Sequence, residues 1–309
     1  MKEEKFTDVI VVGGGPASLT AAIQLVRNGV DILLISDDIG GKIRNANLIE
    51  NLVGFPNGIS GEEFVKRLHQ QYSSFKVPMI KELVKEIKQF RERFIVRTSK
   101  DTFICNYVIV GTGSIPIKMN IENEEEAYKK KQLFYENYIA RKHVKDKNVL
   151  IIGGGDVAYD YAMNLKDLAT HISIIQRSRK AKSIPILKER VSRQTNISIL
   201  TNIMIEKIKF EGKRLYLSAK REDKLIPLIA DLILVAIGRE PNIEMLSPEL
   251  KEAYDNGVVI PNLYYIGDVK KGNYRQVSIA MGDGMNAAME IIDQTTADDD
   301  NYGITREVW

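Results

Sequence analysis

DVIVVGGGPASLTAAIQLVRNGVDILLIS, residues 8 to 36, leaves a folding chain few options. Asp8 to Val12 is a short apolar run suited to a buried strand, and Gly13 and Gly15 make a tight turn. Pro16 through Arg27 then carry the small and aliphatic residues of a helix, and Gly29 ends it before DILLIS returns as a second, parallel strand. The turn reads G-x-G-x-x-S. Gly13 permits the bend, and Gly15 lets the backbone approach a pyrophosphate at the helix N-terminus. Pro16 and Ala17 open that helix, and Ser18 replaces the usual third glycine, so helix and strand must accommodate a hydroxymethyl group.

The pattern returns at KNVLIIGGGDVAYDYAMNLKDLATHISIIQRS. Here Gly153, Gly155 and Ala158 complete G-x-G-x-x-A, with Asp156 and Val157 at the helix start and HISIIQ as the second strand. Two such units predict two dinucleotides, one a resident flavin and the other a diffusible nicotinamide, a pairing suited to hydride transfer. The second unit's returning strand runs into Gln176, Arg177, Ser178, Arg179, Lys180 and Lys182. A cationic turn there favours the 2′-phosphate of NADPH, with NADH as the alternative if the loop is only a solvated surface.

DLILVAIGREPNIEML and NYVIVGTGSIP share one device: an apolar strand, a glycine-bearing turn (Gly238; Thr112 and Gly113), then a proline. Domain crossings are expected just beyond them. This gives a discontinuous first domain, residues 1–116 and 244–309, interrupted by a second at 117–243 that contains a hairpin-like segment, KIKFEGKRLYLSAKREDKLIPL. After the second crossing a strand ends at Gly267 and Asp268, and a small-residue helix starts near Gln276 and Val277. Asp268 is placed to accept a hydrogen bond from a ribityl or ribose hydroxyl, and the helix's first N–H groups to meet a flavin carbonyl. The expected fold class is α/β, with two Rossmann-like domains, the nicotinamide domain inserted into the FAD domain.

Composition excludes several classes. A net charge of +3 from 44 basic and 41 acidic residues is no electrostatic footprint for nucleic acid. No stretch is long and apolar enough to span a membrane, and MKEEKFTDVIVVGGG has no secretion segment before its first strand, so the cytoplasm is the expected compartment. The single cysteine, Cys105, cannot form an internal disulfide and lies in a strand-like run, where a buried thiol is expected.

Nearly the whole chain resembles the low-molecular-weight thioredoxin reductase family. VVGGGPAS is similar to its FAD fingerprint, and GG at 40–41 with IENLVGFPNGISGEEF to its flavin-facing loop. GTG at 111–113, IIGGGDVAYDYA, AIG at 236–238 and GDVKKGNYRQVSIAMGDG match its remaining motifs. The resemblance implies a homodimer whose domains rotate during turnover. It implies FAD contacts at Gly13, Gly15, Pro16, Ala17, Gly41, Lys42, Asn51, Thr112, Gly113, Gly267, Asp268, Gln276 and Val277, with Asn51 near the isoalloxazine and the Val277 N–H near its O2. It implies nicotinamide-dinucleotide contacts at Gly153, Gly155, Asp156, Val157, Ala158 and Gly238, with Arg177 and Lys182 on the 2′-phosphate. Departures are Lys42 for a flavin-contacting glutamine, Val53 for a proline, Ser178 for an arginine and Gln176 for a histidine.

The largest departure is KKKQLFYENYIARK, residues 129–142. Glu136 and Ile139 stand where the family carries its redox C-x-x-C, and neither side chain can form a thiolate. The expected activity is therefore FAD-dependent NAD(P)H oxidation with an external acceptor: a redox protein, a quinone-like molecule or oxygen. Alternatives are a ferredoxin–NADP reductase of thioredoxin-reductase-like type, a non-catalytic flavoprotein, and a disulfide reductase using another protein's thiols. Lys129 to Lys131 would face an acidic ferredoxin or simply solvent, and Phe134, Tyr135 and Tyr138 would pack an inter-domain helix. Trp309, after an acidic run, would cover a flavin face or end a free tail.

Overall fold

The computed structural model describes residues 4–302 except 213, 223, 271 and 273, without the side chains of 296–302. Trp309 thus lies outside the described residues. Strands β1 (Glu4–Val12), β2 (Ile32–Ile35), β3 (Met79–Ile80), β4 (Glu86–Phe90), β5 (Arg93–Arg97) and β6 (Thr102–Val110) form one sheet, ordered β3-β2-β1-β6-β5-β4. A late strand, Leu263–Tyr265, pairs in parallel with the last residues of β6, while β5 pairs antiparallel with its first. This sheet is built from both ends of the sequence.

Alternation explains why β1 lies at its centre. Val9 and Val11 point into a core shared with Leu19, Ala22 and Ile291, whereas Ile10 and Val12 point into another with Phe94, Val96 and Leu250. Where a parallel strand is covered on both faces it must be apolar, as β1 is from Val9 to Val12.

Ribbon strand β7 (Ser114–Pro116) leads to a second sheet containing β8 (Leu133–Phe134), β9 (Asn148–Ile152), β10 (His171–Ile175) and β11 (Ile197–Leu200). Strands β12 (Met204–Glu211), β13 (Arg214–Arg221) and β14 (Lys224–Ala230) form an antiparallel sheet of their own, three strands rather than the expected hairpin. Ile208, Leu215 and Leu217 cover one face of the second main sheet, so charged residues can alternate along the other side. Strand β15 (Leu232–Val235) completes the order β11-β10-β9-β15-β8, and β16 (Arg239–Pro241) returns antiparallel to β7. The late strand above is β17.

Among the described residues eight α-helices accompany them: α1 (Pro16–Arg27), α2 (Gly61–Ser74), α3 (Glu124–Lys129), α4 (Asn137–Ala140), α5 (Asp156–Leu165), α6 (Pro185–Ser192), α7 (Pro248–Asn256) and α8 (Val277–Tyr302). No helix among the described residues is long and apolar enough to cross a membrane. Helix α8 continues through the acidic run, where the sequence suggests a tail.

The stretch expected to be an inter-domain helix is instead β8 and the four-residue α4. Leu133 and Phe134 are buried because they pair with Ile233 and Leu234 at the sheet edge. Tyr135 is fixed by donating its hydroxyl to Glu124 at 2.6 Å. Lys129 and Lys130 are surface residues at the end of α3, each paired one turn back with Glu125 and Glu126.

The two halves meet through polar contacts. Arg190 binds Glu50 with two hydrogen bonds, at 2.5 and 2.7 Å, and the Asn47 N–H donates to Asp160 at 3.0 Å. Burial, opposed by that N–H and by Arg190, raises the Asp160 pKa to about 6 from an ordinary 3.8. Its folded form therefore keeps a proton the unfolded chain has lost, so this group's contribution falls as pH rises through that interval.

Asp160→Asn keeps an acceptor and removes the buried charge. It should stabilise the protein near pH 7 by about 1–3 kcal/mol in urea unfolding, a gain that vanishes near pH 4. Helix α8 packs on α1 so closely that a Cβ on Gly284 would lie 2.1 Å from the Ala17 carbonyl oxygen. Gly284→Ala should cost about 1–3 kcal/mol in the same measurement.

Candidate functional site

Two cavities lie at the carboxyl ends of the parallel strands of the two main sheets, and the same local device builds both. In the first, Gly13 has φ +107°, and a Cβ there would sit 2.4 Å from the Gly111 carbonyl oxygen at the end of β6. In the second, Gly153 has φ +153°, and a Cβ would sit 2.2 Å from the Ala236 carbonyl oxygen beyond β15. Only glycine lets the chain leave its strand this close to the next one.

Each turn delivers a helix whose N-terminus no side chain caps: Gly15 precedes α1 and Gly155 precedes α5. By contrast, Ser60 and Ser247 cap α2 and α7, which lie elsewhere. The free N–H groups of α1 and α5 suit an anionic diphosphate. Ser18 fits at the third position because its neighbour is Gly111. The Ser18 hydroxyl donates to the Gly111 carbonyl at 3.3 Å, and a Cβ on Gly111 would lie 2.1 Å from that hydroxyl.

Gly13, Gly15, Pro16, Ala17, Gly41, Lys42, Thr112, Gly113, Gly267, Asp268, Gln276 and Val277 all line the first cavity. Asn51 does not; it reaches the site through Gln276, donating to its side-chain oxygen at 2.8 Å. Asp37 and Asp38, which follow β2, also line the cavity. Acids at this point suit a free ribose hydroxyl, and DILLISDD carried that signal.

Gly153, Gly155, Asp156, Val157, Arg177, Lys182 and Gly238 line the second cavity, and Ala158 packs beneath Gly153. The basic loop is tied to the glycine turn: the Lys182 N–H donates to the Gly154 carbonyl at 2.8 Å, and the Ile184 N–H to Asp156 at 2.8 Å. Arg177 and Lys182 both line this cavity, and two cations there suit a phosphate group.

Glu136 is the feature that sequence reasoning did not place. It lines the first cavity with Tyr138, although both come from the second half of the fold. Its carboxylate accepts from Asn45 at 2.5 Å and from Arg239 at 2.8 Å, and the ion-pair side chains are only 17% and 16% exposed. Arg239 also donates to the Ser114 hydroxyl and carbonyl, and Ser114 donates to Asp268 at 3.4 Å. The backbone N–H of Tyr138 donates to Asn45, and the Arg44 guanidinium lies over the Tyr138 ring. A polar chain therefore runs from Asp268 to Asn45 along one wall. Ile139 is 38% exposed. Cys105 is buried beside Phe94 and Val96, and burial pushes its thiol up to about 12, far from thiolate chemistry at neutral pH.

Comparison with known proteins agrees with this geometry. Residues 7–284 match the family model for pyridine nucleotide-disulphide oxidoreductases. A thioredoxin reductase of Borreliella burgdorferi is 28% identical over 303 residues, covering 92% of this chain and 90% of that protein. The F component of the Staphylococcus aureus alkyl hydroperoxide reductase is 29% identical over 93% of this chain, which spans only 58% of that relative's length. The solved thioredoxin reductase of Lactococcus lactis superposes with a TM-score of 0.84 at 25% identity, covering 93% of this chain and 98% of that one. That of T. acidophilum, at 24% identity, gives 0.85 over 95% and 100%, a likeness of fold. FAD and NADPH are the cofactors of thioredoxin-reductase-like proteins, and the two cavities fit them, the first by its acidic strand end and the second by its basic one. The chain belongs to the pyridine nucleotide-disulphide oxidoreductase family, with the thioredoxin-reductase-like fold of two Rossmann units.

Proposed function

We propose that this chain is an FAD-dependent NAD(P)H oxidoreductase that passes electrons to an external acceptor without an internal disulfide. The observation that carries the reading is Glu136. A carboxylate locked to Arg239 and Asn45 occupies the wall of the first cavity, and the chain's one cysteine is buried elsewhere. Residues 1–116 and 244–309 would form the FAD domain, and 117–243 the nicotinamide domain.

Bound FAD supplies the redox chemistry, accepting two electrons from the nicotinamide and releasing them to the acceptor. The chain's own residues hold and orient. The α1 N-terminus, with Gly13, Gly15, Pro16 and Ala17, would cradle the FAD diphosphate, and Asp37 or Asp38 would accept from its ribose. Asp268 would accept from the ribityl chain, and the Val277 N–H would meet the ring edge. Thr112 donates to the Asn242 carbonyl at 2.6 Å, fixing the turn in the cavity wall. The α5 N-terminus, Arg177 and Lys182 would hold NADPH.

Anaerobic mixing with NADPH in a stopped-flow spectrometer should bleach the flavin within seconds. NADH should do so more slowly, and Arg177→Ala should weaken NADPH about tenfold while leaving NADH unchanged. Oxidised thioredoxin and small disulfides should not restore the flavin colour. Absence of bleaching with both nicotinamides would favour a non-catalytic flavoprotein, and rapid reoxidation by a disulfide would restore the reductase reading.

A further inference from the structure

Lys42 stands apart from the cations around it, Arg239 and Arg275. Arg239 grips Glu136 and Ser114, and Arg275 donates to the Arg239 carbonyl at 2.7 Å. Among the described residues no hydrogen bond or ion pair holds the Lys42 ammonium, although Lys42 lines the cavity. It sits at the start of the 3-10 turn Gly41–Asn45, whose last residue holds Glu136. Arg239 and Arg275 face it as cations, and Glu136 and Asp268 as anions. Tyr138, Asp37, Asp38 and Glu82 complete the titratable lining of the cavity. Burial first, then the Arg239 charge, lowers the Lys42 pKa to about 8, with Glu136 and Asp268 limiting the fall.

We propose that Lys42 is the proton carrier of this site, taking up a proton as bound FAD is reduced and giving it to the oxygen of a two-electron, quinone-type acceptor. The proposal rests on the oxidoreductase reading above and names its acceptor chemistry. An unpaired amine in a desolvated cavity responds to charge arriving beside it. Reduction brings negative charge into the cavity and raises the proton affinity of Lys42, so electrons and proton load together. They also leave together. As the quinone takes up a hydride equivalent, a Lys42 N–H bond breaks and an O–H bond forms on the acceptor. The amine stays neutral until the next reduction draws a proton to it from solvent. NADPH is the reductant and the quinone the oxidant, so each turnover yields one NADP⁺ and one hydroquinone and consumes one solvent proton. A one-electron iron–sulfur partner takes up no proton and would leave such a lysine without a task.

The test is an anaerobic dye-equilibrated redox titration of the FAD-loaded protein, with dithionite as reductant, from about pH 6 to about pH 10. The midpoint potential should fall more steeply around pH 8, where reduction binds one further proton for each electron pair. Lys42→Gln and Lys42→Arg should both lose that steeper region, the first having no proton to carry and the second never releasing one. Glu136→Gln should move it to lower pH, because the carboxylate that raises the lysine's proton affinity is gone. Reoxidation of the reduced protein by benzoquinone should slow about 100-fold in Lys42→Gln. Reoxidation by ferricyanide, which takes no proton, should slow far less, so that the ratio of the two rates falls. A steep region that survives in both Lys42 variants, or an unchanged benzoquinone rate, would overturn the proposal. Lys42→Arg keeps the cavity's charge and serves if Lys42→Gln loses FAD. Because dithionite bypasses the nicotinamide, failure of NADPH to bleach the flavin would count against the oxidoreductase reading alone.

Discussion

The approach of Gly13 to the Gly111 carbonyl, repeated by Gly153 and Ala236, is the contact on which the architecture depends. It makes the chain turn at once from a buried strand into a helix, with the helix's first N–H groups aimed across the sheet end. Because glycine also precedes each helix, no side chain competes for those groups. The two anion sites therefore follow from backbone geometry, and side chains then distinguish them. Asp37 and Asp38 end one returning strand, Gln176 and Arg177 the other. One backbone device thus becomes two sites of opposite electrostatic preference.

Much of this was legible in the sequence because it is local. Strand, turn, helix and returning strand lie within about thirty residues of one another, and hydrophobic periodicity reports them directly. The basic loop and Asp268 were legible for the same reason, each being adjacent to a strand end. Contacts that close the chain over long distances were not. Glu136 and Arg239 are 103 residues apart, and nothing local to either indicates that they pair. Sequence showed that position 136 lacks a thiol but not what its carboxylate does. The fit of Ser18 was hidden likewise, since its compensating residue, Gly111, is 93 positions away. The third strand beside β12 and β13 was missed because β14 has a proline and exposed apolar residues, poor signs of a strand in isolation.

A carboxylate in this wall has to be compensated. Removing an anion from water costs several kcal/mol unless hydrogen bonds and an opposite charge replace the solvent. Glu136 has both: Arg239 on one oxygen and Asn45 on the other. Arg239 is oriented in turn by Ser114, and Asn45 also receives the Tyr138 N–H. These partners come from the first half of the fold and from its crossing strands, so a single acidic side chain binds both halves around the cavity. Losing Arg239 would leave an uncompensated buried charge and losing Asn45 an oxygen without its donor, which makes the set cooperative and the wall rigid. The same carboxylate sits beside Lys42 and helps determine how tightly that lysine holds its proton. In this chain the wall position carries a paired carboxylate that acts on the charge of the cavity. Under the proposed function electrons would leave the cavity without a thiol intermediary, and Lys42 would manage the accompanying proton.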